Sequence, residues 1–235
     1  MKLRSVMTVM ALGAASPSFA ADPVNVYLSG FKYGNAGNEQ ASISNNGGSS
    51  FLGTYRVGEY AGTLSGQSFS TFCTDVYQSL NFGLNYQYDR RTVDQTKDLW
   101  GNKPYAATTY NPNSYSLVSK LFTTAYSSVN NSTKSAAFQY ALWELLYEKT
   151  SSTYTIGNDG NFWLTNTDSA ATTQANTWLE SLTSASEGYS IQSLYSGTRQ
   201  DLVIATPVPE PETYALALVS LGIVAGYARR KRDKS

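Results

Sequence analysis

The run STKSAAFQYALWELLYEK, residues 132–149, is the clearest helix signal in the chain, and the rest of the fold can be arranged around it. Ala, Phe, Tyr, Leu and Trp are interleaved with polar positions along it, which is typical of a helix that packs into a core. Asn131 or Ser132 can serve as the N-cap, because either side chain can accept a free backbone N–H of the first turn. We therefore predict a core helix here.

Weaker signals on both sides predict further helices and a set of strands. Helical spacing favours one helix over 114–127 and another that Asp168 caps and that extends to residue 182. The Gly/Asn/Ser-rich segment 35–50 predicts a loop. Strand signals fall in the segments 24–28, 51–64, 68–88, and either 189–195 or 201–205. The predicted class is α+β, with a β-rich N-terminal barrel or sandwich part, a helical lobe and a single C-terminal hydrophobic helix.

Residues 1–20 have the three parts of a secretory signal peptide. Lys2 and Arg4 form a positive start, residues 6–15 are largely apolar, and the segment Ser18-Phe19-Ala20 has small residues at its first and third positions, where signal peptidase requires them. We therefore predict cleavage before Ala21 and export by the Sec pathway.

The other end of the chain combines a turn, an apolar run and a basic cluster. The turn is Val208-Pro209-Glu210-Pro211, the apolar run covers 214–228, and the cluster is Arg229-Arg230-Lys231-Arg232. Apolar residues partition into lipid, and the positive-inside rule holds the cluster on the cytoplasmic side. The run is shorter than the roughly 20 residues of a full span, which favours a temporary anchor. An ordinary C-terminal membrane anchor would have the same topology.

These three parts, in this order, resemble the PEP-CTERM sorting signal of Gram-negative bacteria. The resemblance implies a precursor that is tethered in the inner membrane by the sorting helix, cut by an exosortase, and delivered to the cell surface or the extracellular space. The predicted organisation is a signal peptide (1–20), an exported body (21–205) and a sorting signal (206–235).

The composition of the body excludes several classes of function. Seven of the 17 basic and three of the 17 acidic residues lie in the terminal segments, so the body has a formal net charge of −4. We predict no nucleic-acid partner, because such a protein needs a basic stripe. Without histidine and with one cysteine, the chain has no Ser-His-Asp or Cys-His catalysis, no multi-thiolate zinc site and no internal disulfide. We predict no metal and no cofactor.

The single cysteine, Cys73, is either buried and inert, bonded between molecules, or chemically special. It lies in Thr-Phe-Cys-Thr-Asp, residues 71–75, and the core helix carries Ala-Ala-Phe-Gln-Tyr-Ala-Leu-Trp, residues 136–143. These two segments resemble the thioester domains of bacterial surface adhesins. In that family an aromatic–Cys segment and a later helix, with Ala and Trp following its Gln, are joined by a Cys–Gln thioester. The resemblance implies a bond between Cys73 and Gln139.

Three further residues are candidate supports for this site. Phe72 and Trp143 can shield it from water, although a plain core role suits both equally. Asp75 can orient the site or accept a nearby backbone N–H, and as an alternative it is only a carboxylate at a strand edge. Glu144, five positions after Gln139, is predicted to lie on the solvated face of the helix.

A thioester would give the body one reactive acyl group. A thiolate can attack a carboxamide that is held against it and expel ammonia, and an amine on a protein or polysaccharide surface can then take the acyl group. Because this happens once, without turnover, the body would be a reactive adhesin and not an enzyme. The cross-link would also close a loop of 66 residues, which stabilises the fold by about 4 kcal/mol.

Two other functions fit the same sequence. One is a structural protein of the biofilm or extracellular matrix in which Cys73 behaves as a small buried hydrophobic residue. The other is a carbohydrate-binding or carbohydrate-active protein, which the aromatic content and the scattered carboxylates permit without any motif that singles out a pair.

Overall fold

The computed structural model describes residues 22–34, 40–45, 50–102, 111–148, 153–157, 160 and 162–209. Its elements, in chain order, are β1 (Asp22–Phe31), β2 (Gln40–Asn45), β3 (Ser50–Arg56), β4 (Tyr60–Leu64), β5 (Gln67–Thr71), β6 (Asn85–Arg90), α1 (Val93–Asn102), α2 (Ser114–Ala125), α3 (Ser132–Tyr147), β7 (Phe162–Thr165), α4 (Ser169–Ser181), β8 (Tyr189–Tyr195) and β9 (Leu202–Pro207). The α+β class predicted from the sequence is confirmed.

Six strands form an antiparallel sheet that curls almost into a barrel. Their order is β5-β4-β1-β6-β8-β9. The two edge strands meet again just after β5 ends, where Val203 N–H donates to the Phe72 carbonyl over 3.1 Å and Cys73 forms a bridge with Leu202. We call this junction, residues 71–74 against 201–203, the seam.

A second antiparallel sheet has three strands in the order β3-β2-β7. Strand β2 lies inside the segment 35–50, so the predicted loop is wrong over residues 40–45. Gln, Ser and Asn are poor strand formers, which explains the error. Pairing with a strand on each side supplies partners for the backbone groups of β2, and this context outweighs the preferences of its residues.

The barrel-like sheet takes its strands from both ends of the body. Both candidate segments near the end of the body are strands: β8 pairs with β6, and β9 pairs with β8. The predicted β-rich N-terminal part is therefore incomplete without β8 and β9, and the helices are inserted between β6 and β8. Helix α1 and strand β7 were not predicted.

Helix α3 lies at the centre of the packing. Every residue from 135 to 147 is buried, and α2 and α4 both pack against the helix. The predicted solvated position of Glu144 is wrong, because its side chain is buried and accepts a hydrogen bond from the Thr155 N–H over 3.3 Å. A helix enclosed in this way has no solvated face in its middle turns.

The predicted caps at Asn131 and Asp168 are confirmed. The Asn131 side chain accepts a hydrogen bond from the Lys134 N–H over 2.9 Å, and the Asp168 carboxylate accepts one from the Ala171 N–H over 2.8 Å. Each bond satisfies one of the free N–H groups at the start of a helix.

The predicted signal peptide (1–20) and the predicted sorting helix over 214–228 lie outside the described residues. Among the described residues, no helix combines the length and the apolar character needed to cross a membrane.

Candidate functional site

Cys73 lies on the seam of the barrel-like sheet. Its chain neighbours bond to β9, since the Phe72 carbonyl accepts from Val203 and the Thr74 N–H donates to the Asp201 carbonyl over 2.8 Å. Cys73 and Leu202 are therefore a non-hydrogen-bonded pair of an antiparallel ladder. The N–H and C=O of Cys73 consequently point away from β9 and need partners elsewhere.

Gln139, from the middle of α3, supplies those partners. Its side-chain Oε1 accepts a hydrogen bond from the Cys73 N–H over 3.1 Å, and its Nε2 donates to the Cys73 carbonyl over 2.8 Å. Cys73 is 0% exposed and Gln139 is 1% exposed. The structure thus brings together the two residues that the sequence singled out, and the carboxamide of Gln139 takes the place of a neighbouring strand.

The thiol of Cys73 lies in surroundings that favour its protonated form. It donates to the main-chain carbonyl of Asp75, with a Sγ–O distance of 2.9 Å. Burial, followed by the charge of Asp75, raises the pKa of this thiol well above its usual value, and the hydrogen bond to Asp75 opposes the shift. The thiol is therefore shielded and weakly acidic.

The three predicted supporting residues have different positions. Trp143 packs its ring edge-on to Tyr55, with 6.2 Å between centroids. Its buried indole N–H has no hydrogen-bond acceptor among the described residues. Its proximity acts to lower the pKa of Cys73, against the larger effect of burial. Asp75 is buried, and its Oδ1 accepts from the Tyr77 N–H over 2.8 Å. Phe72 instead stacks on Phe138, 4.5 Å between centroids, in an aromatic cluster that also contains Phe122 and Tyr126.

The stacking of Phe72 on Phe138 fixes the register between the seam and α3. Phe72 directly precedes Cys73, and Phe138 directly precedes Gln139. The stacked rings therefore hold Cys73 opposite Gln139 along the helix axis. Neighbouring side chains of an extended segment point to opposite sides, which explains why Phe72 joins the aromatic cluster whereas the Cys73 thiol bonds to the Asp75 carbonyl.

A stripe of side chains along α3 was missed by the sequence reasoning. Ser135, Gln139, Trp143 and Tyr147 are spaced by four residues and therefore share one face of the helix. Tyr147 contacts the same segment as Gln139, because its hydroxyl donates to the Thr74 carbonyl over 3.0 Å and accepts from the Val76 N–H over 3.3 Å. The four-residue spacing of polar and aromatic side chains is the signal that could have revealed this face.

A second buried polar cluster, also missed, surrounds Glu59. Its Oε1 accepts hydrogen bonds from Lys32 (3.0 Å), Ser70 (2.5 Å) and Tyr126 (2.7 Å), while its backbone N–H donates to Ser135 Oγ over 2.6 Å. The preceding Gly58 has φ +139°, and a Cβ there would lie 2.9 Å from Ser135 Oγ. A glycine is thus required where β4 passes α3.

Only the first residues of the predicted sorting motif lie in the described part of the chain. The Val208 N–H donates to the Gly188 carbonyl over 2.9 Å, and the Val208 side chain is exposed. The motif therefore begins at the surface, directly after β9. Glu210, Pro211 and the basic cluster 229–232 lie outside the described residues.

Comparison with known proteins identifies this tail. A family model for the PEP-CTERM protein-sorting motif matches residues 207–232. The motif indicates an exported protein whose precursor transits the membrane and is sorted to the cell surface by an exosortase. No curated protein and no solved structure matches the chain. Among the described residues, no group of three or more cysteine, aspartate or glutamate side chains could hold a metal ion.

Proposed function

We propose that this exosortase-sorted protein is a surface adhesin whose body forms an internal thioester between Cys73 and Gln139. One observation carries the proposal: two hydrogen bonds hold the Gln139 carboxamide against the main chain of the residue that bears the only thiol of the chain. Both residues are buried, so water is kept from the place where the acyl group would form.

The proposed reaction conserves atoms and charge. The Cys73 sulfur attacks the carboxamide carbon of Gln139, the carbon–nitrogen bond breaks, and the thiol proton leaves with the nitrogen as ammonia. The Cys73 N–H that donates to Oε1 supports this step, because a donor at that oxygen stabilises the negative charge that develops there. A weakly acidic thiol reacts slowly, but each molecule needs to react only once.

The proposed role of the thioester is a single covalent capture. A primary amine on a protein or polysaccharide surface attacks the acyl carbon, the carbon–sulfur bond breaks, and the amine proton passes to the Cys73 sulfur. The products are an amide on Gln139 and a free thiol. Because the thioester is consumed, we propose that the protein is not an enzyme.

A second candidate has its own support in the same geometry. The two hydrogen bonds of Gln139 satisfy the buried N–H and C=O of Cys73, which have no partner on β9, and this alone accounts for a buried glutamine. In that case Cys73 is an inert core residue and the protein has a structural role in the biofilm or extracellular matrix.

Intact-mass measurement of the purified protein separates the two candidates. The thioester predicts a mass lower by one ammonia, and methylamine should add to Gln139 and restore a thiol that can be alkylated. A protein of full mass, whose thiol is alkylated after unfolding without any amine treatment, would contradict the proposal.

The expected mass depends on where the two ends of the chain are cleaved. Variants that are processed in the same way have the same ends, so their masses can be compared directly. The ammonia deficit should disappear in Cys73→Ala and in Gln139→Ala. It should remain in Gln192→Ala, because Gln192 bonds to Arg90 and has no contact with Cys73.

A further inference from the structure

A surface pocket of about 250 Å³ is lined by Tyr55, whose ring packs against Trp143, one helical turn after Gln139. Its lining includes Phe31, Tyr55, Arg56, Tyr60, Phe82 and Gln200, which come from β1, β3, β4 and two loops. We call it the access pocket. The proposed function does not explain it, although a buried thioester needs a route by which an amine can arrive.

The inner wall of the access pocket also borders the candidate thioester. The Tyr55 hydroxyl donates to the Val76 carbonyl over 2.8 Å, and its ring packs against Trp143. Burial and, after it, the neighbouring Cys73 raise the pKa of both Tyr55 and Tyr60. Tyr55 therefore connects the pocket, through Trp143, to the helix that carries Gln139.

The weakest contact in this wall is the one between Tyr60 and Gln200. The Tyr60 hydroxyl donates to Gln200 Oε1 over 3.4 Å, at the long limit of a hydrogen bond. Gln200 directly precedes Asp201, whose carbonyl bonds to Thr74 on the seam. Loss of the Tyr60–Gln200 hydrogen bond would therefore loosen the wall at the residue that precedes Asp201.

Three aromatic rings give the access pocket an apolar side. Phe31, Tyr60 and Phe82 pack edge-on to one another, with centroid distances of 5.2 to 5.3 Å. Phe82 is 38% exposed, which is unusual for a large apolar side chain. Arg56 is the charged side chain of the lining, and no lining residue is a carboxylate that could bind an ammonium group.

We propose that the access pocket is the route by which an amine reaches the thioester, and that its apolar wall selects an amine carried on an unbranched hydrocarbon stem. This inference rests on the proposed function. A lysine side chain has such a stem, with four carbons, whereas the amine of an amino sugar is attached directly to a ring that bears hydroxyl groups. The favoured partner is therefore a protein surface, and the neutral form of its amine enters the pocket.

Capture rates in single-site variants test this inference. Wild-type protein, with its ammonia deficit verified, is mixed with n-butylamine or glucosamine at equal concentrations of neutral amine, and adducts are followed by intact mass. We expect n-butylamine to react faster. We expect Ser79→Trp, which fills the pocket from an exposed lining position, to slow n-butylamine by about tenfold, or about 1.4 kcal/mol of activation free energy.

A matched pair of tyrosine variants tests the wall. Tyr60→Phe removes the bond to Gln200 and should speed capture, whereas Tyr88→Phe removes an equally buried hydroxyl, bonded to the Gln200 main chain over 2.9 Å, and should not. Equal rates in wild type, Ser79→Trp and Tyr60→Phe, all with the ammonia deficit, would overturn the access pocket and leave the thioester intact. Absence of the deficit from wild type would overturn both.

Discussion

Helix α3 contacts the barrel-like sheet through two buried polar sites, and they differ in charge. Ser135 faces Glu59, whose carboxylate is shared by Lys32, Ser70 and Tyr126. One helical turn later, Gln139 faces Cys73, and only neutral groups bond to one another there. We call them the Glu59 contact and the Cys73 contact.

The difference separates a charged contact from a neutral one. At the Glu59 contact a cation and two hydroxyl groups surround Oε1 of a buried carboxylate, and Oε2 has no hydrogen-bond partner among the described residues. At the Cys73 contact the nearby carboxylates of Asp75 and Asp201 disfavour a thiolate. A reagent from outside therefore meets a shielded, protonated thiol, on a residue whose main-chain groups are bonded to the Gln139 carboxamide.

The largest expected effect is the loss of the proposed cross-link at the Cys73 contact. Complete reaction with methylamine should lower the free energy of unfolding by about 4 kcal/mol, because the closed loop of 66 residues becomes open in the unfolded chain. The methylamide keeps one N–H for the Cys73 carbonyl, so little else changes in the folded state. Urea unfolding of treated and untreated wild type measures the difference.

Cys73→Ala is the control for this treatment. The variant has no thioester, so its unfolding free energy should be the same with and without methylamine. Treated wild type that carries the adduct and still unfolds within about 1 kcal/mol of untreated protein would show that the cross-link does not stabilise the fold.

The Glu59 contact should respond to loss of its cation. Lys32→Met leaves a buried carboxylate without its positive partner and should cost about 3 kcal/mol in urea unfolding. Lys97→Met is the matched control, since Lys97 is exposed and lies over the Tyr115 ring with a distance of 4.7 Å. A cost for Lys32→Met no larger than that for Lys97→Met would mean that solvent already screens this pair.

The same pair gives a pH dependence with a definite sign. Burial acts to lower the pKa of Lys32, but the hydrogen bond and the charge of Glu59 outweigh it, so the pKa is raised from 10.5. The ammonium form is therefore favoured by folding. Its contribution is complete below pH 10.5 and is lost as the pH rises through the raised value. The difference between wild type and Lys32→Met should thus be constant from neutral pH to about 9 and shrink above it.

Local signals in the sequence were enough for α2, α3 and α4 and for most strands, but not for α1. The cap residues Asn131 and Asp168 mark helix starts because a side-chain oxygen there replaces a missing partner, which depends on neighbouring residues alone. Strand β2 could not be predicted in this way, because its polar residues become a strand only through pairing with β3 and β7. Likewise, closure of the sheet joins residues more than a hundred positions apart.

At the candidate site, residue types were predictable and their contacts were not. Cys73 and Gln139 are recognisable from short motifs, yet the reason for their contact is the non-hydrogen-bonded position of Cys73 on the seam, which only β9 creates. The burial of Glu144 also depends on a segment beyond α3, because its carboxylate accepts from the Thr155 N–H. The Glu59 contact has no motif, since its members are spread from Lys32 to Ser135.

The smallest expected effect concerns the N-terminus of α3, the helix that carries both contacts. Asn131→Ala removes the side-chain bond to the Lys134 N–H and should cost about 1 kcal/mol in urea unfolding. Asn113→Ala is the matched control, because Asn113 occupies the N-cap of α2 without a side-chain cap bond and its replacement should cost little.

The same Asn131→Ala variant should affect the two contacts unequally. Ser135 lies only four residues after the cap, whereas Gln139 lies eight. We therefore expect faster amide hydrogen exchange at Glu59, whose N–H bonds to Ser135, and little change at Cys73. Equal acceleration at both amides would mean that α3 loosens as one unit and that the two contacts are not independent.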